Sequence, residues 1–398
     1  MKKTFQEFVG ETRKSRLSEV ACLVNGRAEA ANLPYVGTEN LIKNFGGVVV
    51  SPSEGQIGTA FRTGDILLGN IRPYLRKLWL ATFDGVASPD VLVIRPTAID
   101  SCLLSLLLTS DAFFSHIEQG YKGSKMPRGD KKQIMSYEFM IPYSLEKQLR
   151  VSSAFSLLNE KIALTERKLK ATEDLKSSLK NKIFNQKISL KDSKSKAFPT
   201  WKNFNFFDLV ESITDFRGRT PKKLGMEWSE SPTNYVTLSA LNVKSWGIDY
   251  SSNFHYGDED LYKKWMTKSE LHKGQVIMTT EAPAGVVMQI PDQGKYILGQ
   301  RVIALNLKTN LVSESFFAQL LRSDKVQNEI RKLSSGGTAI GISQKSLKAL
   351  NLMLPISLEE QEKISNLFSL LDEKIKTSKR KIDRLHALKR GLMQKMFI

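Results

Sequence analysis

The chain has 398 residues, of which 41 % are hydrophobic, and a formal net charge of +18. That length allows two or three domains with proper cores and excludes a small disulfide-stapled scaffold. The charge favours a polyanionic partner, with nucleic acid ahead of acidic membrane.

Cys22 and Cys102 match no disulfide or zinc spacing. The start, MKKTFQEFVGETRKSR, carries no apolar h-region, and the longest apolar run, Cys102 to Leu108, is too short to span a bilayer. A cytoplasmic protein away from membranes is expected.

The first segment, residues 1–143, mixes short β-type runs with turn signals. Leu33 to Gly37 reads as the start of a strand, Gly46 to Val50 as a turn feeding a strand, and Thr63 to Gly69 as turn, strand and turn. Asp90 to Pro96 reads as a buried strand ended by proline. The spacing predicts one helix over about Ile99 to Gln119, then a basic loop from Tyr121 to Lys132 and a strand near Phe139 to Ile141. This is an α+β globule.

Residues 144–186 form a long amphipathic helix with Ser144 as its cap. Its apolar stripe is read as Phe155, Leu158, Ile162, Leu169, Leu175, Leu179 and Ile183. About 40 residues at ~1.5 Å each make a rod of roughly 60 Å. The polar stretch at 187–200 reads as a linker. Residues 201–356 form a second globule, and residues 357–398 a second long helix with its stripe at Phe368, Leu371, Ile375, Ile382, Leu385, Leu388, Leu392 and Met396.

The two helices align without a gap at an offset of 213 residues, with about 20 identities in 44 positions. That density is an internal repeat and not a coincidence of coiled-coil composition. The globules echo each other more faintly. Tyr235-Val236 follows Tyr35-Val36, Lys273-Gly274 follows Thr63-Gly64, and Ser323-Asp324 follows Ser110-Asp111. The fold expected is α+β: two repeated mixed α/β domains, each followed by a long helix whose apolar stripe is partnered by that of the other copy.

Catalytic signatures are missing. No phosphate-cradling GxxxxGK[ST] or GxGxxG occurs, and His116, His255, His272 and His386 are scattered. Pro291-Asp292 with Asp372-Glu373-Lys374 fits the letters of a nuclease motif, but the triplet lies on the repeated helix, where the first copy reads Asn159-Glu160-Lys161.

The loops supply chemistry suited to DNA. In the first globule the candidates are Asn70, Arg72, Tyr74, Arg76 and Lys77 on one proline-stiffened turn, and Lys122, Lys125, Arg128, Lys131 and Lys132 on the basic loop. In the second they are Arg217, Arg219, Thr220, Lys222 and Lys223, then Thr279 and Thr280 on the counterpart of the Arg72 turn, and Ser343, Gln344 and Lys345 after the Gly336-Gly337 pair. Arginine forks suit guanine edges and phosphate, and lysine neutralises phosphate. The Thr279 to Pro283 stretch is much less basic than its counterpart. Glu160-Lys161 and Glu373-Lys374, at matched places on the rods, are candidates for partner contacts.

This pattern resembles the DNA-specificity subunit of type I restriction–modification systems. The likeness rests on the two SLE(K/E)Q…FSLL(N/D)EKI helices, each preceded by (I/L)P, on GDILLGNIRPYLRK, and on DFRGRTPKK followed by YVTLSALNV. It implies two target-recognition domains, each reading its own half of a bipartite site, and helices that pack as an antiparallel coiled coil, set the gap and dock two modification subunits. It also implies S-adenosylmethionine, ATP and Mg2+ in partner subunits, restriction subunits that translocate and cleave, and no cofactor or catalysis in this chain. The alternative is a coiled-coil scaffold that binds nucleic acid or protein without any methylation or restriction role.

Overall fold

The computed structural model describes residues 10–30, 33–50, 55–120, 127–267, 269–334 and 341–397. The chain divides into two compact units, 1–167 with 378–398, and 168–377. Each long helix, Leu145–Phe184 and Leu358–Phe397, contributes one half to each unit.

The central sheet of the first unit has four antiparallel strands in the spatial order Ala21–Leu23, Val91–Pro96, Ile66–Gly69 and Leu78–Leu80. The second unit repeats this order with Val210–Asp215, Val302–Leu307, Val276–Thr279 and Val287–Gln289. A second sheet in each unit contains one parallel pair, Tyr35–Val36 with Gly85–Ala87 and Tyr235–Leu238 with Tyr296–Leu298. A third pairing closes each unit, Thr12–Arg16 with Glu138–Pro142 and Lys202–Asn205 with Asn351–Leu354. The inner strands bury almost every side chain, as in Ile66 to Leu68 and Val302 to Leu305. Such unbroken apolar runs are what a sheet covered on both faces requires.

Three sequence expectations change. The run Val48 to Val50 forms only an isolated bridge, Leu41 with Val48. The single helix over Ile99 to Gln119 is two, Ser101–Leu108 and Asp111–Glu118, because the Ser110 hydroxyl accepts from the Phe113 amide at 3.2 Å and caps the second. Ser323 caps Asp324–Leu333 in the same way. The end of the basic loop is helical at Lys131–Met135, since the Asp130 carboxylate accepts from the Lys132 and Gln133 amides.

The stretch at 187–200, read as a linker, is strapped to the start of the second helix. Asp192 takes up the Lys194 and Lys196 amides, and Phe198 lies under the Lys363 ammonium at 5.4 Å. Trp201 Nε1 then donates to Glu360 at 3.0 Å.

The helix seams follow a strict alternation of four and three. On the first helix the shielded positions are Val151, Phe155, Leu158, Ile162, Thr165, Leu169, Thr172, Lys176, Leu179 and Ile183; on the second they are Ile364, Phe368, Leu371, Ile375, Ser378, Ile382, Leu385, Lys389 and Leu392. A 3.5-residue period is the signature of a left-handed coiled coil. It moves Leu175 and Leu388 off the stripe, and they are 50 % and 51 % exposed. Met396 lies outside the residues whose side chains are described.

Within each unit the helix contacts run antiparallel. In the first, His386 lies 3.6 Å from Glu166, while Leu392 and Met393 pack on the core that holds Val151 and Phe155. In the second, Lys176 pairs with Asp372, and Phe184 stacks on Phe368 with ring centres 6.0 Å apart. Buried Thr165 and Thr172 satisfy their hydroxyls on the Lys161 and Lys168 carbonyls one turn back.

Candidate nucleic-acid interface

Each unit builds one polar site at the end of its central strand. In the first unit the Asn70 amide donates to Asp90 O at 2.9 Å, and the Gly129 amide donates to Asn70 O at 3.3 Å. Ile71 bridges to Arg128. In the second unit the Thr280 amide donates to Arg301 O, the Ile342 amide donates to Thr280 O, both at 2.9 Å, and Glu281 bridges to Gly341. The backbone ladder therefore matches Asn70 to Thr280, Ile71 to Glu281, Arg72 to Ala282 and Asp90 to Arg301. Packing follows the match. A Cβ on Gly129 would meet Asn70 Oδ1 at 3.0 Å, whereas Ile342 stands there opposite the smaller Thr280.

Both turns hold a non-glycine residue in left-handed backbone before a proline, Arg72 at φ 51° and Ala282 at φ 55°. That conformation costs about 1–2 kcal/mol for an L-residue. It is held at Arg72 by bonds from its own amide to Pro127 O and from the Leu75 amide to its carbonyl, both 2.9 Å. Asn70 Oδ1 and Thr280 Oγ1 are buried at these strand ends without a hydrogen-bond partner among the described residues. Such groups are costly unless something else meets them.

The side chains separate into two kinds. Some proposed readers are committed to their own fold. Arg76 pairs with Asp111 at 2.5 Å and lies over the Phe114 ring, and Lys77 donates to Thr38 O at 2.5 Å. Arg219 donates to Trp265 O and lies 4.4 Å over Phe216. Lys223 closes its own loop on Gly218 O at 2.7 Å, and Thr220 accepts from the Lys223 amide at 3.3 Å. Thr279 is fully buried and donates to Pro283 O at 2.5 Å. Ser343 caps the short turn Gln344–Leu347. Their polar groups have partners because the loops could not otherwise hold their shape.

The others face solvent. In the first unit Arg72, Tyr74, Lys131 and Lys132 are exposed, and Arg128 is exposed with its guanidinium 2.9 Å from Asp90. In the second, Lys222 and Lys345 are exposed. Arg217 engages Asp215 side-on at 2.7 to 3.3 Å, and Gln344 Nε2 reaches the same carboxylate at 2.9 Å. Burial alone would raise the Asp215 pKa, but these bonds outweigh it and hold the carboxyl below its ordinary value. Lys122 and Lys125 lie outside the described residues.

Sequence reasoning missed Arg301, Glu281, Asp215 and Asp90. Arg301 follows the turn at Gly299-Gln300, and Gln300 Nε2 donates to Arg219 O at 2.6 Å, which ties this turn to the Arg217 loop. Its Nε lies 3.3 Å from Glu281. The one signal in the sequence is the likeness of the strand starts Val91-Leu92 and Val302-Ile303, which does not extend to the residues just before them, Asp90 and Arg301.

On the helices Glu160, Lys161, Glu373 and Lys374 are all exposed. Exposed leucines also recur at the 213-residue offset, Leu145 with Leu358, Leu157 with Leu370, and Leu175 with Leu388. Among the described residues no helix is long and apolar enough to cross a membrane, and no cluster of His, Cys, Asp and Glu is placed to hold a metal ion.

The strand-end site is thus built twice, once in each unit of the two-helix frame. Residues 199–387 match the type I restriction modification DNA specificity domain. The specificity subunit of the type I restriction enzyme MjaVIII from Methanocaldococcus jannaschii is 22 % identical over 387 residues, covering 90 % of this chain and 84 % of that protein. Among solved structures, the type I restriction–modification S subunit from M. genitalium superposes with a TM-score of 0.62 at 13 % identity, covering 98 % and 96 % of the two chains. A chain from a study of complex assembly and conformational transition in the type I R-M system gives 0.54 at 17 % identity and 97 % of both. The match to the domain model is confined to residues 199–387, and over most of its length the chain is similar to type I specificity subunits.

Proposed function

We propose that this chain is the DNA-specificity subunit of a type I restriction–modification complex, with each unit reading one half of a bipartite duplex target. The observation that carries this reading is the duplicated strand-end site, with one backbone ladder and different side chains in its two copies. Two reading heads of the same build and different chemistry suit a target with two dissimilar halves. The chain is the non-catalytic component. S-adenosylmethionine, ATP and Mg2+ belong to the modification and restriction subunits, and the work of this chain is in the cytoplasm, where the DNA is.

Arg72 and Arg128 serve the first half-site, with Tyr74, Lys131 and Lys132 beside them. Arg217, Lys222, Gln344 and Lys345 serve the second. Cations on such loops neutralise phosphates and offer forks to guanine edges. The paired helices fix the gap. Their matched exposed leucines, with Glu160-Lys161 and Glu373-Lys374, offer the same apolar and charged surface twice, which suits two copies of one modification subunit.

Base-modification sequencing of host DNA, with and without this gene, tests the reading. A split methyl-adenine motif that disappears on deletion is the expected result. An unchanged methylation pattern in a host whose modification subunit is expressed would favour the scaffold alternative.

A further inference from the structure

We infer that Arg301 is a specificity-determining residue of the second half-site, entering from the backbone position that Asp90 occupies in the first. The inference rests on the proposed DNA-reading function and deepens it.

Four observations carry it. The ladder places Arg301 O under the Thr280 amide as it places Asp90 O under the Asn70 amide, so the two residues immediately precede equivalent strands. The charge there is reversed. In the first unit the strand supplies the acid, Asp90, and the loop supplies the base, Arg128. In the second unit the strand supplies the base, Arg301, and the neighbouring turn supplies the acid, Glu281, where the first unit has uncharged Ile71. At this rung of the ladder each site has an arginine–carboxylate pair but launches its guanidinium from a different point.

The state of the arginine is the third observation. Its side chain is 60 % exposed, and its contact with Glu281 is made through Nε, the inner nitrogen. The terminal fork has no partner among the described residues. By contrast Arg217 spends Nε and one terminal nitrogen on Asp215, and Arg219 is bound to Trp265 O. A guanidinium steadied at Nε with a free fork is prepared for two parallel bonds to the O6 and N7 edge of a guanine. The fourth observation is Thr280 beside it, 1 % exposed, whose buried Oγ1 lacks a hydrogen-bond partner among the described residues at the same strand end. The turn's tie through Gln300 to the Arg217 loop fixes Arg301 against the other polar groups of that unit.

The test is selection from a randomised duplex DNA library by the purified full chain, comparing wild type with Arg301→Ala and Arg301→Lys. Wild type is expected to enrich a split motif of two half-sites. Arg301→Ala should leave the first half-site intact and lose the preference at one guanine of the second, with roughly 5- to 150-fold weaker binding to the wild-type motif. Arg301→Lys, which keeps the charge without the fork, should lose the same preference. A wild-type split motif that persists unchanged in Arg301→Ala overturns this inference alone. Weaker binding to every duplex equally, with a shallower salt dependence and both half-sites retained, makes Arg301 a phosphate contact and also overturns it. A wild-type chain that enriches no split motif overturns the parent reading, and this inference falls with it.

Discussion

The Ser313 amide donates to the side-chain oxygen of Gln361 at 2.9 Å, and the Asp100 amide donates to Gln148 at 3.2 Å in the first unit. Each glutamine also donates through Nε2 to the proline ahead of its helix, Pro355 at 2.9 Å and Pro142 at 3.0 Å. Both side chains are buried. This fifth residue of the SLE(K/E)Q motif is therefore a clamp between helix start and globule. Replacing Gln361 or Gln148 with leucine leaves buried amides and carbonyls unpaired and is expected to cost about 1–3 kcal/mol, read as a lower denaturant midpoint of the full chain.

Arg128 and Arg219 should separate cleanly in mutagenesis. Arg128→Ala is expected to weaken duplex binding by about 1–3 kcal/mol if its fork meets a base, with little change in melting temperature. Arg219→Ala should lower the melting temperature, because it removes a bond to Trp265 O and a cation stacked on Phe216. Paired thermal melts and duplex titrations check both.

Lys180 gives the second unit a pH dependence. Burial, helped by nearby Lys176 and Arg322, lowers its pKa from 10.5 to about 8, while its Nζ donates to Arg322 O at 2.7 Å. The folded state thus disfavours the ammonium. The penalty is full below about pH 8 and fades as pH rises toward the unfolded value, where the unfolded chain binds more protons than the folded one. Wild type should gain stability between pH 8 and 10 relative to Lys180→Met, the residue found at the repeat-related position 393. Melting curves across that range, wild type minus variant, measure it.

The matched leucines should act one per partner. Leu157 and Leu370 are each 66 % exposed, so an aspartate at either leaves the fold intact. If the surface docks modification subunits, Leu157→Asp or Leu370→Asp should each lower occupancy by one subunit and the double variant by two. Native mass spectrometry of the reconstituted complex reads this directly.

Much of the architecture was legible because it is written twice. The 213-residue offset exposed the helices and the paired globules without any coordinates. Errors arose where the residue pattern leaves geometry open. Leu175 has the right polarity for the seam, but a 3.5-residue period places Thr172 and Lys176 there instead. The cation-rich loops were found by composition, which cannot tell Arg76, whose guanidinium is held by Asp111, from Arg72, whose guanidinium has no partner among the described residues.

The sequence by itself determined the repeat, the helical period and the basic character, since these depend on local order along the chain. Only the tertiary structure decided which arginines are free. A guanidinium is committed or available according to the carboxylates and carbonyls that distant strands bring beside it. Asp90 and Arg301 have opposite charges and no resemblance as residues. They became counterparts only when two sheets were seen to place them at the same rung of the same ladder.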